Sequence, residues 1–156
     1  MKMKKLVIAS FLLLSISIHS YASELGLKMG SGVLQDNENT SIYMVAYRDR
    51  IENTPLFQNV EFGFFSDVKP GSRNSFVGQY SLGLIGYLGN FYSDCSVGLA
   101  TISAPDQYLS TAFEFTEEIE FGYKQISISV RHYSNAGIKR PNLGRNFLLL
   151  NYHMFF

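Results

Sequence analysis

From Glu24 onward, segment after segment alternates apolar and polar side chains with a period of two, which is the repeat of a strand and not the 3.6 of a helix. Leu25, Leu27 and Met29 alternate with Glu24, Gly26 and Lys28. Tyr43, Val45 and Tyr47 share one side of the next segment, and Val60, Phe62 and Phe64 alternate with Glu61 and Gly63. Tyr80, Leu82, Leu84 and Leu88 form the following apolar face, and Gly89-Asn90 makes a tight turn. Beyond it, Phe91, Val97 and Leu99 oppose Tyr92, Asp94, Ser96 and Gly98, while Phe113, Phe115, Ile119 and Phe121 oppose Glu114, Thr116, Glu118 and Glu120. Glu117 falls on the apolar side of that segment, as at a bulge. Ile126, Ile128 and Val130 alternate with Ser127, Ser129 and Arg131. After a longer connection, Leu148, Leu150, Tyr152, Met154 and Phe156 alternate with Asn151 and His153.

These segments make eight strands. Preceding them, Lys2, Lys4 and Lys5 lead into an apolar stretch from Leu6 to Ile18, and Ser20-Tyr21-Ala22 places small residues where a signal peptidase reads. Residues 1–22 are therefore expected to be a signal peptide and 23–156 the mature domain, with ten basic and thirteen acidic residues. At about ten residues for each membrane-crossing strand, eight strands and seven connections fit the mature length. The expected fold is all-β, an eight-stranded antiparallel transmembrane β-barrel. Alternation alone does not say which face points inward, so a secreted barrel with an apolar interior fits the same pattern. Three features favour the membrane: a charged polar face suited to a lumen, 21 Phe and Tyr residues after Ala22 suited to interfacial girdles, and an alternating apolar last strand ending on Phe156.

Few chemistries remain open to such a chain. Cys95 has no partner for an intrachain disulfide and reads as a strand residue; the three histidines lack metal-ligand spacing; no glycine-rich loop joins a strand to a helix. No metal or other cofactor is implied, and no nucleic-acid partner. His153 falls on the lumen side by parity, and the carboxylates of Glu114 to Glu120 suit pairing with Arg131 or Lys28 better than glycosidase chemistry.

The informative stretch is His132-Tyr133-Ser134-Asn135-Ala136-Gly137, where the seventh strand ends. Parity puts His132 and Ser134 on the lipid face with Ile126, Ile128 and Val130, their backbones about 7 Å apart at ~3.3 Å rise per residue. A histidine and a serine among lipid-facing residues suit a functional pair near the headgroups. By spacing alone the plainer reading has the strand already clear of hydrocarbon at this point, since His-x-Ser is a pattern of little specificity.

The longer string, with Ile138-Lys139-Arg140-Pro141-Asn142 and a short last strand after it, resembles the PagL family of lipid A 3-O-deacylases from Gram-negative outer membranes. The resemblance implies a serine esterase on the outside of an eight-stranded barrel in the bacterial outer membrane. Its substrate would be lipopolysaccharide, from whose lipid A it removes the ester-linked hydroxyacyl chain at position 3. By this resemblance Ser134 is the nucleophile, His132 its general base, and Asn135 with the backbone N–H groups around Ala136 and Gly137 the oxyanion stabiliser. The family's third catalytic residue is a Glu at the start of the final strand, where this chain has Asn146. An amide oxygen can accept from the imidazole but carries no charge, so the expectation is a slow enzyme, an acid borrowed from another loop (Asp36, Glu38 and Asp106 are the candidates), or an inactive homologue with a structural or lipid-binding role. Arg131, Lys139, Arg140 and Arg145 concentrate positive charge around the motif; Lys139 and Arg140 are the phosphate-binding candidates, against the alternative of a solvated loop. Surrounding outer-membrane lipid and a homodimer complete the expected partners.

Overall fold

The computed structural model describes residues 23–33, 40–67 and 74–156; the expected signal peptide and the candidate acids Asp36 and Glu38 lie outside them. Eight antiparallel strands form one closed barrel in sequence order: β1 (Ser23–Gly32), β2 (Thr40–Arg50), β3 (Leu56–Asp67), β4 (Ser75–Leu88), β5 (Phe91–Ile102), β6 (Phe113–Tyr123), β7 (Ile126–Ser134) and β8 (Arg145–Phe155). β1 closes against β8 from Glu24↔Phe155 to Gly32↔Phe147, so no edge is left unpaired. The short connections 51–55, 89–90 and 124–125 lie at one end of the barrel, and the longer described connections, 103–112 and 135–144, lie at the other.

Alternation decides the two faces of the wall. Leu27, Phe62, Leu84, Val97, Ile119, Ile128 and Leu150 stand exposed on the outside, whereas Lys28, Arg48, Glu61, Glu118, Glu120, Arg131 and Asn151 are buried in the lumen. This is the reverse of a soluble barrel. An apolar exterior around a polar interior suits surroundings of hydrocarbon, and closure satisfies the backbone groups that hydrocarbon cannot.

Lumen charges are closely matched. Lys28 bonds Glu61 at 3.1 Å and Glu118 at 3.0 Å, and Arg131 bonds Glu61 at 2.7 Å and also Glu118. Arg48 bonds Glu24, Asp94 and Glu120 at 2.9–3.1 Å, and His153 Nε2 lies 2.8 Å from Glu120. The expected pairing of the acidic run with Lys28 and Arg131, and the lumen position of His153, are as found. Apolar clusters flank this ionic middle: Ile42, Phe65, Leu109, Tyr133 and Phe147 towards the longer connections, Phe57, Ile85 and Tyr92 towards the short turns. The interior is thus packed with side chains at both ends.

Glu117 is not at a bulge. Its register is continuous with both neighbours, Val97 on β5 and His132 on β7, and its side chain faces outward and is exposed.

Candidate active site

β7 runs toward the end with the longer connections, and its final residues alternate as its first ones do. Arg131 and Tyr133 point inward and are fully buried; the Tyr133 hydroxyl donates to Gln79 Oε1 at 2.6 Å and its ring packs on Phe65 and Phe147. This anchoring leaves His132 and Ser134 on the outer surface, both partly exposed.

Across the sheet from His132 lies Asn146 of β8, and the two side chains meet: His132 Nδ1 to Asn146 Oδ1 is 2.8 Å. With the amide oxygen as acceptor, Nδ1 carries the proton and the lone pair is on Nε2. That is the tautomer a base for a neighbouring hydroxyl requires. Gly144 backs the ring. Its φ is +72°, and a Cβ there would stand 2.7 Å from His132 Cε1, so only a glycine leaves the imidazole its present place.

The turn after Ser134 is built around the Asn135 side chain, which is fully buried. Its Nδ2 donates to Ser110 Oγ and to the Lys139 carbonyl, both at 2.9 Å, and its Oδ1 accepts from Gly137 N–H at 2.9 Å. The Asn135 N–H donates to Asn142 Oδ1 at 3.2 Å. Asn135 thus ties the β5–β6 connection to the β7–β8 connection, and its amide is already engaged. Ala136 takes a left-handed φ of 51°, and its N–H, unlike those of Asn135 and Gly137, has no partner among the described residues.

Of the four basic residues gathered by sequence, two belong to the lumen. Arg131 holds Glu61 and Glu118, and Arg145 holds Asp106, which is thereby committed away from His132. Lys139 and Arg140 remain exposed on the connection beside the site. No group of three His, Cys, Asp or Glu side chains able to hold a metal occurs among the described residues.

Residues 88–155 match the family model "Lipid A 3-O-deacylase (PagL)". This segment runs from the end of β4 to the end of β8 and contains His132, Ser134 and Asn146. A curated relative, the lipid A deacylase PagL of Bordetella bronchiseptica, is 33% identical over 70 residues, covering 40% of this chain and 39% of that protein. The chain therefore aligns with about two fifths of that relative's length. Among solved structures, the outer membrane enzyme PagL superposes with a TM-score of 0.72 at 16% identity, over 84% of this chain and 98% of that one. A de novo designed transmembrane β-barrel gives a TM-score of 0.54 at 13% identity over 87% and 98%. The fold is thus that of the solved PagL enzyme.

Three residues near the site had no role in it by sequence: Gly144 behind the imidazole, Asn142 against the turn, and Glu117, directly opposite His132 on β6. The first two follow from loop conformation, which no periodicity encodes. The third was readable, because a two-residue turn at Lys124-Gln125 fixes the β6–β7 register.

Proposed function

We propose that this protein is an outer-membrane serine esterase that hydrolyses the ester-linked 3-hydroxyacyl chain at position 3 of lipid A. The observation that carries the reading is the His132 Nδ1 to Asn146 Oδ1 hydrogen bond on the outer wall, two residues from Ser134. An acyl chain buried in the outer leaflet lies alongside this wall. A site on the lipid-facing surface meets such a substrate without drawing it out of the membrane.

Ser134 Oγ attacks the ester carbonyl as its proton passes to His132 Nε2, and Asn146 keeps the opposite ring nitrogen protonated. Negative charge then grows on the former carbonyl oxygen. The Ala136 N–H is the backbone donor left for it, with the Asn142 amide held against the same turn as a second. In this assignment Asn135 and Gly137 shape the turn by their mutual hydrogen bond. The imidazolium returns its proton to the sugar oxygen as the C–O bond breaks, leaving an acyl-Ser134, which water deprotonated by His132 hydrolyses. The products are a 3-hydroxy fatty acid and lipid A with a free 3-hydroxyl. Lys139 and Arg140 attract the headgroup phosphates, Arg with the fork geometry for two-point contact.

A second reading, a catalytically disabled barrel with a lipid-binding or structural role, draws support from Asn146 alone. Loss of the triad charge with the tautomer also wrong lowers kcat about 10⁴-fold in a serine protease. Here the amide oxygen preserves the tautomer, so the defect is confined to charge. The deciding experiment incubates detergent-refolded protein with purified lipopolysaccharide and reads lipid A by mass spectrometry, beside Ser134→Ala and Asn146→Glu. Loss of one 3-hydroxyacyl chain that vanishes with Ser134→Ala supports the esterase. Loss only in Asn146→Glu supports the disabled barrel.

A further inference from the structure

Glu117 is the outward-facing carboxylate among the described strand side chains. Its neighbours on the same face of β6 are Phe113, Phe115, Ile119 and Phe121, all exposed, and it makes no ion pair or hydrogen bond with any described residue. The other carboxylates of that strand, Glu114, Glu118 and Glu120, are buried on the lumen side. An unneutralised carboxylate on an apolar outer wall is unfavourable where hydrocarbon covers it, and tolerable near the headgroups. Its location is specific: Glu117 pairs with His132 across β6–β7, as Asn146 pairs with His132 across β7–β8, so the imidazole stands between a carboxylate and an amide in one row. Directly opposed side chains have Cβ atoms about 4.5–5.5 Å apart, within reach of a Glu side chain.

We infer that Glu117 on β6 supplies His132 with the negative charge that Asn146 on β8 cannot. The two duties of a triad acid are then divided between neighbouring strands. Asn146 accepts from Nδ1 and fixes the tautomer; the Glu117 carboxylate stabilises the imidazolium formed when His132 takes the Ser134 proton. No proton moves to Glu117, and Nε2 is left free to take the Ser134 proton. Opposed on paired strands, the two side chains can approach to within a few ångströms, well inside a Debye length. Because it acts through His132, Glu117 is a positioning residue in the electrostatic sense. The inference rests on the esterase reading for its substrate, although activation of Ser134 can be measured without that substrate.

The test compares native protein with Glu117→Gln, Glu117→Asp and Glu117→Gln/Asn146→Glu, each first checked for the heat-modifiable migration of a folded barrel. Two readouts are used: deacylation of lipopolysaccharide, with kcat and KM separated, and the rate at which a fluorophosphonate labels Ser134. Removing the one outward carboxylate opposed to His132 takes away the charge that would stabilise the imidazolium, so Glu117→Gln is expected to lower kcat and labelling about tenfold with KM little changed. Glu117→Asp keeps part of the rate, and the double variant recovers it by placing the carboxylate on β8. Equal kcat and labelling in native protein and Glu117→Gln overturns the inference while leaving the esterase reading intact. Native labelling that slows in Glu117→Gln, without any deacylation, supports the inference and removes the lipid A substrate. Absence of both activities in the native protein overturns both.

Discussion

Replacing Gly144 by Ala tests whether the imidazole position is set by the backbone behind it. A Cβ at residue 144 would stand 2.7 Å from His132 Cε1 and 3.4 Å from Nε2, and 3.1 Å from the Tyr133 carbonyl oxygen. Bringing the Cε1 contact to an ordinary 3.4 Å requires the ring to retreat by about 0.7 Å, because Gly144 itself is held by its N–H donating to the Tyr108 carbonyl at 3.1 Å. A displacement near 1 Å at a reacting group is enough for about a 100-fold loss, so Gly144→Ala is expected to reduce deacylation between about tenfold and 100-fold. The left-handed φ of +72° adds a backbone cost of roughly 1–2 kcal/mol. Gly89 separates the two effects. It has φ +62° in the β4–β5 turn at the far end of the barrel, and an added Cβ there meets nothing within 4 Å. Gly89→Ala should carry the same backbone cost and keep full activity. The assay is release of 3-hydroxy fatty acid from lipopolysaccharide, run on variants whose heat-modifiable migration shows folded barrel. Native activity in folded Gly144→Ala would refute the claim that this glycine fixes His132.

Other perturbations separate scaffold from chemistry. Arg131→Leu removes the guanidinium that Glu61 and Glu118 share with Lys28, leaving buried carboxylates under-compensated; a loss of about 3–5 kcal/mol is expected, measured as a lower urea midpoint for barrel unfolding in detergent. Asn135→Ala deletes two donated bonds and one accepted bond in a buried turn, and should depress kcat while leaving the barrel folded, read from deacylation beside heat-modifiable migration. Lys139→Glu with Arg140→Glu should raise KM for lipopolysaccharide severalfold at constant kcat, an effect that shrinks as salt is added. Unchanged KM at low salt would assign that loop to solvent.

The barrel was legible because a single rule generates it. Once strands alternate, parity sorts the residues onto two faces, and the charged face, the aromatic content and the apolar last strand then turn Lys28, Glu61, Arg131 and His153 to the lumen, where they are buried. Parity also places Glu117 outward, where its charge interrupts an apolar run, and the side chain is exposed there. A bulge would have turned that charge inward and spared the exterior a carboxylate, but it would also have broken the register with Val97 and His132 that the strand keeps. The count of basic residues misled for a related reason. Arg131 and Arg145 are adjacent to the motif in sequence yet face the lumen, where Glu61, Glu118 and Asp106 engage them.

Register, unlike parity, depends on connections, and the two neighbours of His132 differ in how they are reached. The β7–β8 connection is long, with left-handed residues at 136, 137 and 144, and nothing in its length alone decides that Asn146 stands opposite His132. The family's motif carried that alignment. The β6–β7 connection is the two-residue turn Lys124-Gln125, and a two-residue hairpin fixes every pair on either side of it. Counting outward from that turn reaches Tyr123↔Ile126, Phe121↔Ile128, Ile119↔Val130 and then Glu117↔His132. The carboxylate sought in the connections at Asp36, Glu38 and Asp106 thus stands within a strand, the one whose pairing with β7 is the more tightly specified. Of the two strands that flank His132, β8 does not supply the charge and β6 can. That strand already presents a side chain at the right height, and a substitution there leaves the loops that shape the site undisturbed.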